Sequence, residues 1–384
     1  MDMYHYTDDQ SILIETVAKF AEERIKPHLM EWDEKEEFPV GLFKEMGELG
    51  LLGVLVPEEY GGSGYKYADY VAILEEISSV CGGVGLGVAA HNSLCTGHID
   101  QCGNEEQKRK YLPKLASGEY IGAWGLTEPG SGSDAGGMLS RAKKVDGGYI
   151  LTGTKNFITH AISADVAVVL VSTQPSLKTR GISTFILDKS IKGWYGGKKE
   201  SKVGMRCSET AQLIMEDVFV PESNLIGNFN EGFIQAMKVL DGGRISIAAL
   251  ALGIARGALE CAREYASERK QFNRTIDSYQ AIQFKFADMA THLDAARLLT
   301  LRAAQLKDKG HITTLESAMA KYYASEVAVR NSEEAVQIFG GYGYLRDYPA
   351  EKFWRDSKLC TIGEGTSEVQ KMVIARELKK ALPH

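Results

Sequence analysis

Near the C-terminal end of the chain one carboxylate stands between two glycines, in Thr361-Ile362-Gly363-Glu364-Gly365-Thr366-Ser367-Glu368-Val369-Gln370. Flanking glycines remove side-chain bulk and let a ligand come close to the backbone. Ser367, followed three residues later by Gln370, has the spacing of a capping box and precedes an apolar-periodic run to Leu378. Glu364 is therefore expected on a turn just before a helix, at the rim of a pocket, where a carboxylate can act as a general base. A surface glutamate in a glycine-rich loop explains the decapeptide equally well, so the other motifs decide.

Thr127-Glu128-Pro129-Gly130-Ser131-Gly132-Ser133-Asp134-Ala135 contains a formal G-x-G-x-x-A. A dinucleotide fold would need a long helix directly after it and an acidic residue about 20 positions on. Gly136-Gly137 and strand-like sequence follow instead. The hydroxyl- and glycine-rich loop still offers a hydrogen-bonding cradle for a polar ring or a phosphate. Lys155-Asn156-Phe157-Ile158-Thr159-His160 sets an aromatic and a hydroxyl two residues apart on a strand. Such a ring can stack on a flat ligand while Thr159 bonds its edge, although core packing is the commoner fate of a phenylalanine. Asp241-Gly242-Gly243-Arg244 opens an apolar helix and offers Arg244 to an anionic group, with ion pairing as the plainer role. Glu268-Arg269-Lys270-Gln271-Phe272 closes that helix with basic residues that also complement its dipole. Gln337-Ile338-Phe339-Gly340-Gly341-Tyr342-Gly343-Tyr344 has backbone bare enough for a phosphate or ribose to lie against. The eight histidines are dispersed, so no metal site is expected, and there is no G-x-S-x-G elbow.

The elements that must carry these motifs fall in three blocks. Residues 1–120 read as helical. Thr7 and Gln10 form a capping box, and Ile12, Ile14, Val17, Phe20, Ala21 and Ile25 recur near the helical period until Pro27. Further helices are expected over 39–52 and 67–79, and 82–92 is small, apolar and glycine-rich. From about Tyr120 the segments 121–126, 140–145, 149–152, 166–172, 182–187 and 213–220 are short and often β-branched, punctuated by turns such as Asp146-Gly147-Gly148. They predict an antiparallel barrel or sandwich. Long amphipathic helices then cover 233–270, 278–309, 314–339 and 368–378, with a capping box at Thr313 and Glu316 and a stop at Gly340-Gly341.

Composition excludes several classes. The chain has 384 residues, 44% hydrophobic and 25% charged, which is ordinary for a globular protein. A formal net charge of −7 gives no case for nucleic-acid or anionic-membrane binding. No uninterrupted apolar run approaches the roughly 18 residues of a membrane span; the nearest, 245–255, is broken by Ser246 and Gly253. The opening Met1-Asp2-Met3-Tyr4-His5 has no basic region or apolar core, so a cytoplasmic protein is expected. Cys81, Cys95, Cys102, Cys207, Cys261 and Cys360 form no CxxC pair and are expected as reduced, mostly buried thiols.

Taken in order and at their spacing, six blocks resemble the acyl-CoA dehydrogenase family over essentially the whole chain, most closely its short-chain, butyryl-CoA-type members. They are 126–134, 153–159, 240–244, 268–272, 337–344 and 364–368. The resemblance implies an α+β multidomain chain: an N-terminal α-helical domain (1–120), a middle antiparallel β-domain (121–228) and a C-terminal four-helix bundle (229–384). It implies a homotetramer with FAD held partly across a subunit interface. Trp124, Leu126, Thr127, Ser133, Phe157 and Thr159 would lie along the flavin, Phe157 standing where many members have Trp. Arg269, Gln271, Phe272 and Gln280, with Gln337, Gly340 and Gly341 of a neighbouring subunit, would hold the pyrophosphate and adenosine part. Thr366 and Glu368 would complete the FAD contacts. Ser133, Asp241, Arg244, Gly365 and Arg376 would touch the CoA thioester.

The implied reaction is removal of the α-proton of an acyl-CoA by Glu364 while the β-hydrogen leaves as hydride to FAD, giving a trans-2-enoyl-CoA, with electrons passed to an electron-transfer flavoprotein. In the family a flavin ribityl hydroxyl and the backbone N–H of the base, here Glu364, stabilise the charge on the thioester oxygen. Isovaleryl- and long-chain-type members carry the base at the position of Gly243, which cannot serve. The residue before the base is commonly Tyr in the short-chain group. Gly363 here implies a roomier pocket and a branched or cyclic acyl group, with residues 86–95, including His91, lining its end. The alternative is a flavin monooxygenase or nitroalkane-oxidase-like relative, and those tend to lose the Glu364-type base. A DNA-associated or scaffold relative would need a basic face or an extra domain.

Overall fold

The structure, a computed structural model, describes residues 7–380, so the opening residues on which the lack of a secretion signal was read lie outside it. Seven helices come first: α1 (Asp8–Phe20), α2 (Leu29–Lys35), α3 (Val40–Glu48), α4 (Tyr67–Val80), α5 (Gly82–Ala89), α6 (Gly97–Cys102) and α7 (Glu105–Ala116). The Thr7 hydroxyl accepts from Gln10 N and the Gln10 side chain accepts from Thr7 N, so the capping box forms as its spacing predicts. Helix α3 stops at Glu48 rather than running to residue 52, because Gly50 turns the chain with φ +73°. Between α5 and α6 the backbone widens into a π-helical stretch, Ala90–Thr96. Such stretches are rare and recur at functional sites.

The middle part is one sheet of β1 (Gly122–Gly125), β2 (Arg141–Val145), β3 (Gly148–Thr159), β4 (Val166–Ser172), β5 (Ile182–Asp188), β6 (Trp194–Lys199), β7 (Thr210–Pro221) and β8 (Leu225–Ile226). Its order is β6-β7-β3-β2-β4-β5-β8, with β1 beside β4. Pairing is antiparallel as expected except where β1 runs parallel to β4, Gly122 opposite Val166, with one parallel contact of β2 on β4. The β2–β3 hairpin between β1 and β4 supplies the long crossover that parallel pairing needs. All seven β4 residues are buried, as its unbroken apolar run requires. Strand β6 had no sequence signal because Gly196, Gly197 and two lysines fill it.

The C-terminal part is α8 (Gly232–Glu268), α9 (Gln280–Asp308), α10 (Thr314–Phe339), α11 (Ala350–Cys360) and α12 (Ser367–Lys380), with α10 packed against the other four. Helix α8 is long and apolar enough to cross a bilayer, although charged residues and glycines break its apolar run in the sequence. In the fold 83% of its most apolar window is buried inside the protein, so it is the spine of the core. Leu250 and Ile254 of α8 share one cluster with Phe43 and Tyr70 of the N-terminal helices and Ala324 of α10, so the two helical parts have a common interior. The Thr313 capping box is not made. Thr313 leaves the N-cap geometry, and its hydroxyl accepts from Ser317 instead. All six cysteines are unbridged, and Cys81, Cys95, Cys207 and Cys360 are buried.

Candidate active site

Two successive left-handed residues, Glu364 (φ +53°) and Gly365 (φ +95°), link α11 to α12. Glycine adopts this conformation freely, whereas a glutamate there costs about 1–3 kcal/mol, a strain that marks functional turns. Two side chains hold the turn through three hydrogen bonds. Gln370 Nε2 donates to the carbonyls of Glu364 (3.2 Å) and Gly365 (3.0 Å), and Lys321 Nζ donates to Gly365 O at 2.7 Å. The helix cap falls on Thr366, whose hydroxyl accepts from Val369 N, and not on Ser367, whose hydroxyl donates to Glu326. Gln370, expected to complete the box at Ser367, reaches the turn instead.

The carboxylate of Glu364 points at α8. A Cβ on Gly243 would stand 2.1 Å from its Oε2, and 3.2 Å from Leu94 of the π-helical stretch. Oε2 is buried without a hydrogen-bond partner. Burial pushes the carboxyl up to about 7, against the pull of Lys321 and Arg244. Gly242 has a separate reason: a Cβ there would meet the Tyr67 hydroxyl at 2.6 Å. Asp241-Gly242-Gly243-Arg244 thus lies well inside α8 and does not open it. Arg244 is buried and donates to Asp241 (2.6 Å), which also accepts from Thr314 (2.7 Å), yet Arg244 Nε has no partner. Arg376 is exposed beside Glu377.

Leu94 belongs to the same buried cluster as Leu126 and Leu240, with Trp124 packed on it, so the loop after β1 borders the Glu364 carboxyl. The Trp124 indole donates to His98 (3.0 Å). Asn156 N donates to Thr127 O at 2.8 Å, which ties the Thr127 loop to β3. Below the loop, Lys155 and Glu128 form a buried pair at 2.7 Å, and Glu128 also accepts from Leu139 N and Ser140 N. The β3–β7 register slips between Lys155 and Ile158, and Phe157 sits in the bulge at φ +57°. Its ring is 63% exposed, so the expectation of core packing fails there for a definable reason: a bulge re-aims a side chain. Thr159 follows on the same strand, half-buried, and Ser133 is exposed on its loop. His91 is fully buried. It accepts from Gly122 N and bonds Leu115 O in the joint between the helices and the sheet.

A cavity of about 640 Å³ lies elsewhere, lined by Arg269, Gln271, Phe272, Gly340, Gly341 and Tyr342 among others. The Phe272 ring is 89% exposed, a Cβ on Gly340 or Gly341 would meet nothing within 4 Å, and Arg269 lies over the Tyr342 ring. Gln280 and Gln337 are exposed and do not line it. Gly243 and Arg269 are 26 residues apart on one helix, which at about 1.5 Å per residue is about 39 Å. The cavity and the Glu364 carboxyl are therefore far apart along the fold. Thr366 is half-buried and Glu368 exposed beside the Glu364 turn.

Sequence reading missed Lys321 and Gln370. A signal was present: Ser317, Lys321 and Ser325 recur every four residues among alanines, and all three are buried.

Models of the acyl-CoA dehydrogenase N-terminal, middle and C-terminal domains match residues 7–119, 123–218 and 230–379. The short-chain specific acyl-CoA dehydrogenase of Clostridium acetobutylicum is 46% identical, over 98% of this chain and 99% of that one. The structure of butyryl-CoA dehydrogenase from Megasphaera elsdenii has a TM-score of 0.96 at 42% identity, covering 99% of this chain and all of the other. A chain in a structure described as the electron transferring flavoprotein of Acidaminococcus fermentans has a TM-score of 0.96 at 47% identity, covering 98% and 99%.

Proposed function

The chain belongs to the acyl-CoA dehydrogenase family, an FAD-dependent oxidoreductase family, and from that premise we propose that it dehydrogenates a short, branched or cyclic acyl-CoA with Glu364 as the base. The observation that carries this reading is the buried, partnerless Oε2 of Glu364 opposite the bare backbone of Gly243. A carboxyl poised near neutrality can hold a proton taken from carbon and release it later. The N–H of Glu364, fixed by the clamped turn, is available to the thioester oxygen as it gains charge. Asp241 and Arg244, with Arg244 Nε unpaired, stand beside the same pocket for the polar part of the ligand.

FAD, when bound, supplies the hydride acceptor. Two features of this chain fit it: the exposed Phe157 ring on its strained bulge beside the buried, unpartnered Asn156 Oδ1, and the bare Gly340-Gly341 backbone facing the Phe272 ring across the cavity. Phe157, Thr159, Trp124, Leu126, Thr127 and Ser133 would hold the flavin end, Thr366 and Glu368 its rim. Arg269, Gln271, Phe272, Gly340 and Gly341 would hold the adenosine end. The separation of about 39 Å along α8 is farther than one extended dinucleotide reaches. That supports a homotetramer in which one chain's cavity, lined by Arg269 and by Gly340-Gly341 together and not by residues of two subunits as the resemblance implied, serves a neighbour's flavin.

Gly363 supports the wider acyl group. Its φ is not left-handed, and a Cβ there would meet only Leu359, no closer than 3.6 Å, so neither backbone nor packing demands glycine. An electron-transfer flavoprotein is the proposed acceptor, supported by the likeness to the Acidaminococcus chain. Anaerobic titration of the yellow protein with butyryl-, isobutyryl-, 2-methylbutyryl-, hexanoyl- and cyclohexanecarboxyl-CoA tests the reading. Bleaching by a branched or cyclic member at least as fast as by butyryl-CoA is expected. No bleaching by any saturated acyl-CoA overturns it.

A further inference from the structure

Helix α10 grips the base-bearing turn at three places. Ser325 Oγ donates to Cys360 O (2.7 Å), Lys321 Nζ donates to Gly365 O (2.7 Å), and Glu326 accepts from Ser367 Oγ (2.6 Å). Only Lys321 is a fully buried charge. Among the described residues its one hydrogen-bond partner is the Gly365 carbonyl. Burying an ammonium costs several kcal/mol, and a carbonyl can be held by a neutral donor, as Ser325 holds that of Cys360. The carbonyl alone therefore does not account for a lysine. Among the groups around it is the carboxyl of Glu364, the residue next to Gly365 in the chain.

We propose that Lys321 is a positioning residue for the base: it fixes the left-handed turn that aims Glu364 at α8, and its charge favours the ionised form of that carboxylate. The proposal rests on the reading of Glu364 as the base. The groups facing Lys321 are Glu364 on the turn, Cys360 at the end of α11, Arg244 on α8 and Glu326 on its own helix; Glu364 itself faces Lys321, Arg244 and, from α4, Tyr70. Arg244 pairs its Nη1 with Asp241, and Tyr70 and Cys360 are held neutral by burial, so Lys321, bonded to Gly365 O, is the positive charge that touches the turn itself. Burial pushes Lys321 down to about 8 while it pushes Glu364 up to about 7, so the two are oppositely charged between those values.

The test compares Lys321→Met, Lys321→Gln and Lys321→Arg as FAD-loaded holoenzymes. The infrared band of the protonated Glu364 carboxyl, assigned by its loss in Glu364→Gln, is followed against pH beside kcat and KM. In the Met and Gln variants the carboxyl midpoint should rise by about one pH unit or more, with kcat at pH 7 down about fivefold or more and recovering at pH 9. KM should stay within about threefold, and Arg should bring the midpoint back. A midpoint that stays in place in folded, flavin-replete Met and Gln variants overturns the proposal. If one of these neutral variants does not fold, the other decides. Should Glu364→Gln reduce its flavin at the wild-type rate, the base assignment fails, and the infrared midpoint still reports on Lys321 separately.

Discussion

A Cβ on Gly243 would lie 2.1 Å from Oε2 of Glu364, so two distant stretches of the chain address one point in space. A carboxylate can be hung there from the α11–α12 turn or from α8, and the two cannot coexist. Gly243→Ala should displace the Glu364 carboxylate and lower kcat by about tenfold or more, as misplacement of about 1 Å does in other active sites. Gly243→Glu combined with Glu364→Gly should recover part of that loss. Steady-state kinetics with flavin content as a control decide both.

The raised pKa of Glu364 has opposite consequences for activity and stability. As the proposed base, Glu364 must be ionised, so kcat should rise with pH through about 7. The folded state binds this proton more tightly than the unfolded chain, whose carboxyl titrates near the ordinary value of 4.5. The stability it contributes is present in full below about 4.5 and is lost as pH rises to about 7, by about 3 kcal/mol. Glu364→Gln should therefore melt above wild type at pH 8, with the gap narrowing below pH 5, while flavin reduction is abolished. A variant that melts identically to wild type at pH 8 would show that the buried charge carries no cost.

Gly363→Tyr should narrow the acyl pocket without harming the fold, since a Cβ there makes only ordinary contacts. The expected result is a selective loss, about tenfold or more in kcat/KM for branched and cyclic acyl-CoAs, with butyryl-CoA little changed. Equal loss on all substrates would mean that the space beside Glu364 does not select the acyl group.

Helix α10 was legible to the residue, and so was β4, because each has an unbroken period between clear stops: Gly340 after the helix, turns around the strand. The three-part order followed from the motifs. The exposure of Phe157 depends on a slip in register against β7, a strand more than fifty residues away, and no local pattern encodes it. The shift of the helix cap from Ser367 to Thr366 depends on where the left-handed turn ends. The role of Lys321 depends on which face of α10 meets that turn, although the four-residue spacing marked the face as unusual.

The pair Lys155–Glu128 should behave as a buried charge pair whose halves are not separately dispensable. Glu128→Gln leaves the ammonium without its counter-charge, beside Leu126 O, Met138 Sδ and a neutral amide, and weakens the bonds to Leu139 N and Ser140 N that shape the loop. A loss of about 3–5 kcal/mol is expected, with flavin released before global unfolding because Thr127 is tied to the same strand. Chemical denaturation followed by flavin fluorescence and far-ultraviolet circular dichroism would separate the two events.

The distance between base and cavity gives a test by complementation. If each flavin uses the base of one chain and the adenosine cavity of another, a Glu364→Gln chain and an Arg269→Asp chain carry damage to different halves of the site. Each variant alone should be nearly inactive. Co-assembled from the unfolded mixture, some sites would pair the intact Glu364 of the Arg269→Asp chain with the intact cavity of its Glu364→Gln neighbour, and activity should return to about a quarter of wild type by random pairing. A site built within one chain would contain one lesion or the other in every copy, so no activity would return. The separation of Gly243 and Arg269 along a continuous α8 argues for the first outcome, since no bend in the described chain brings Arg269 back to Glu364.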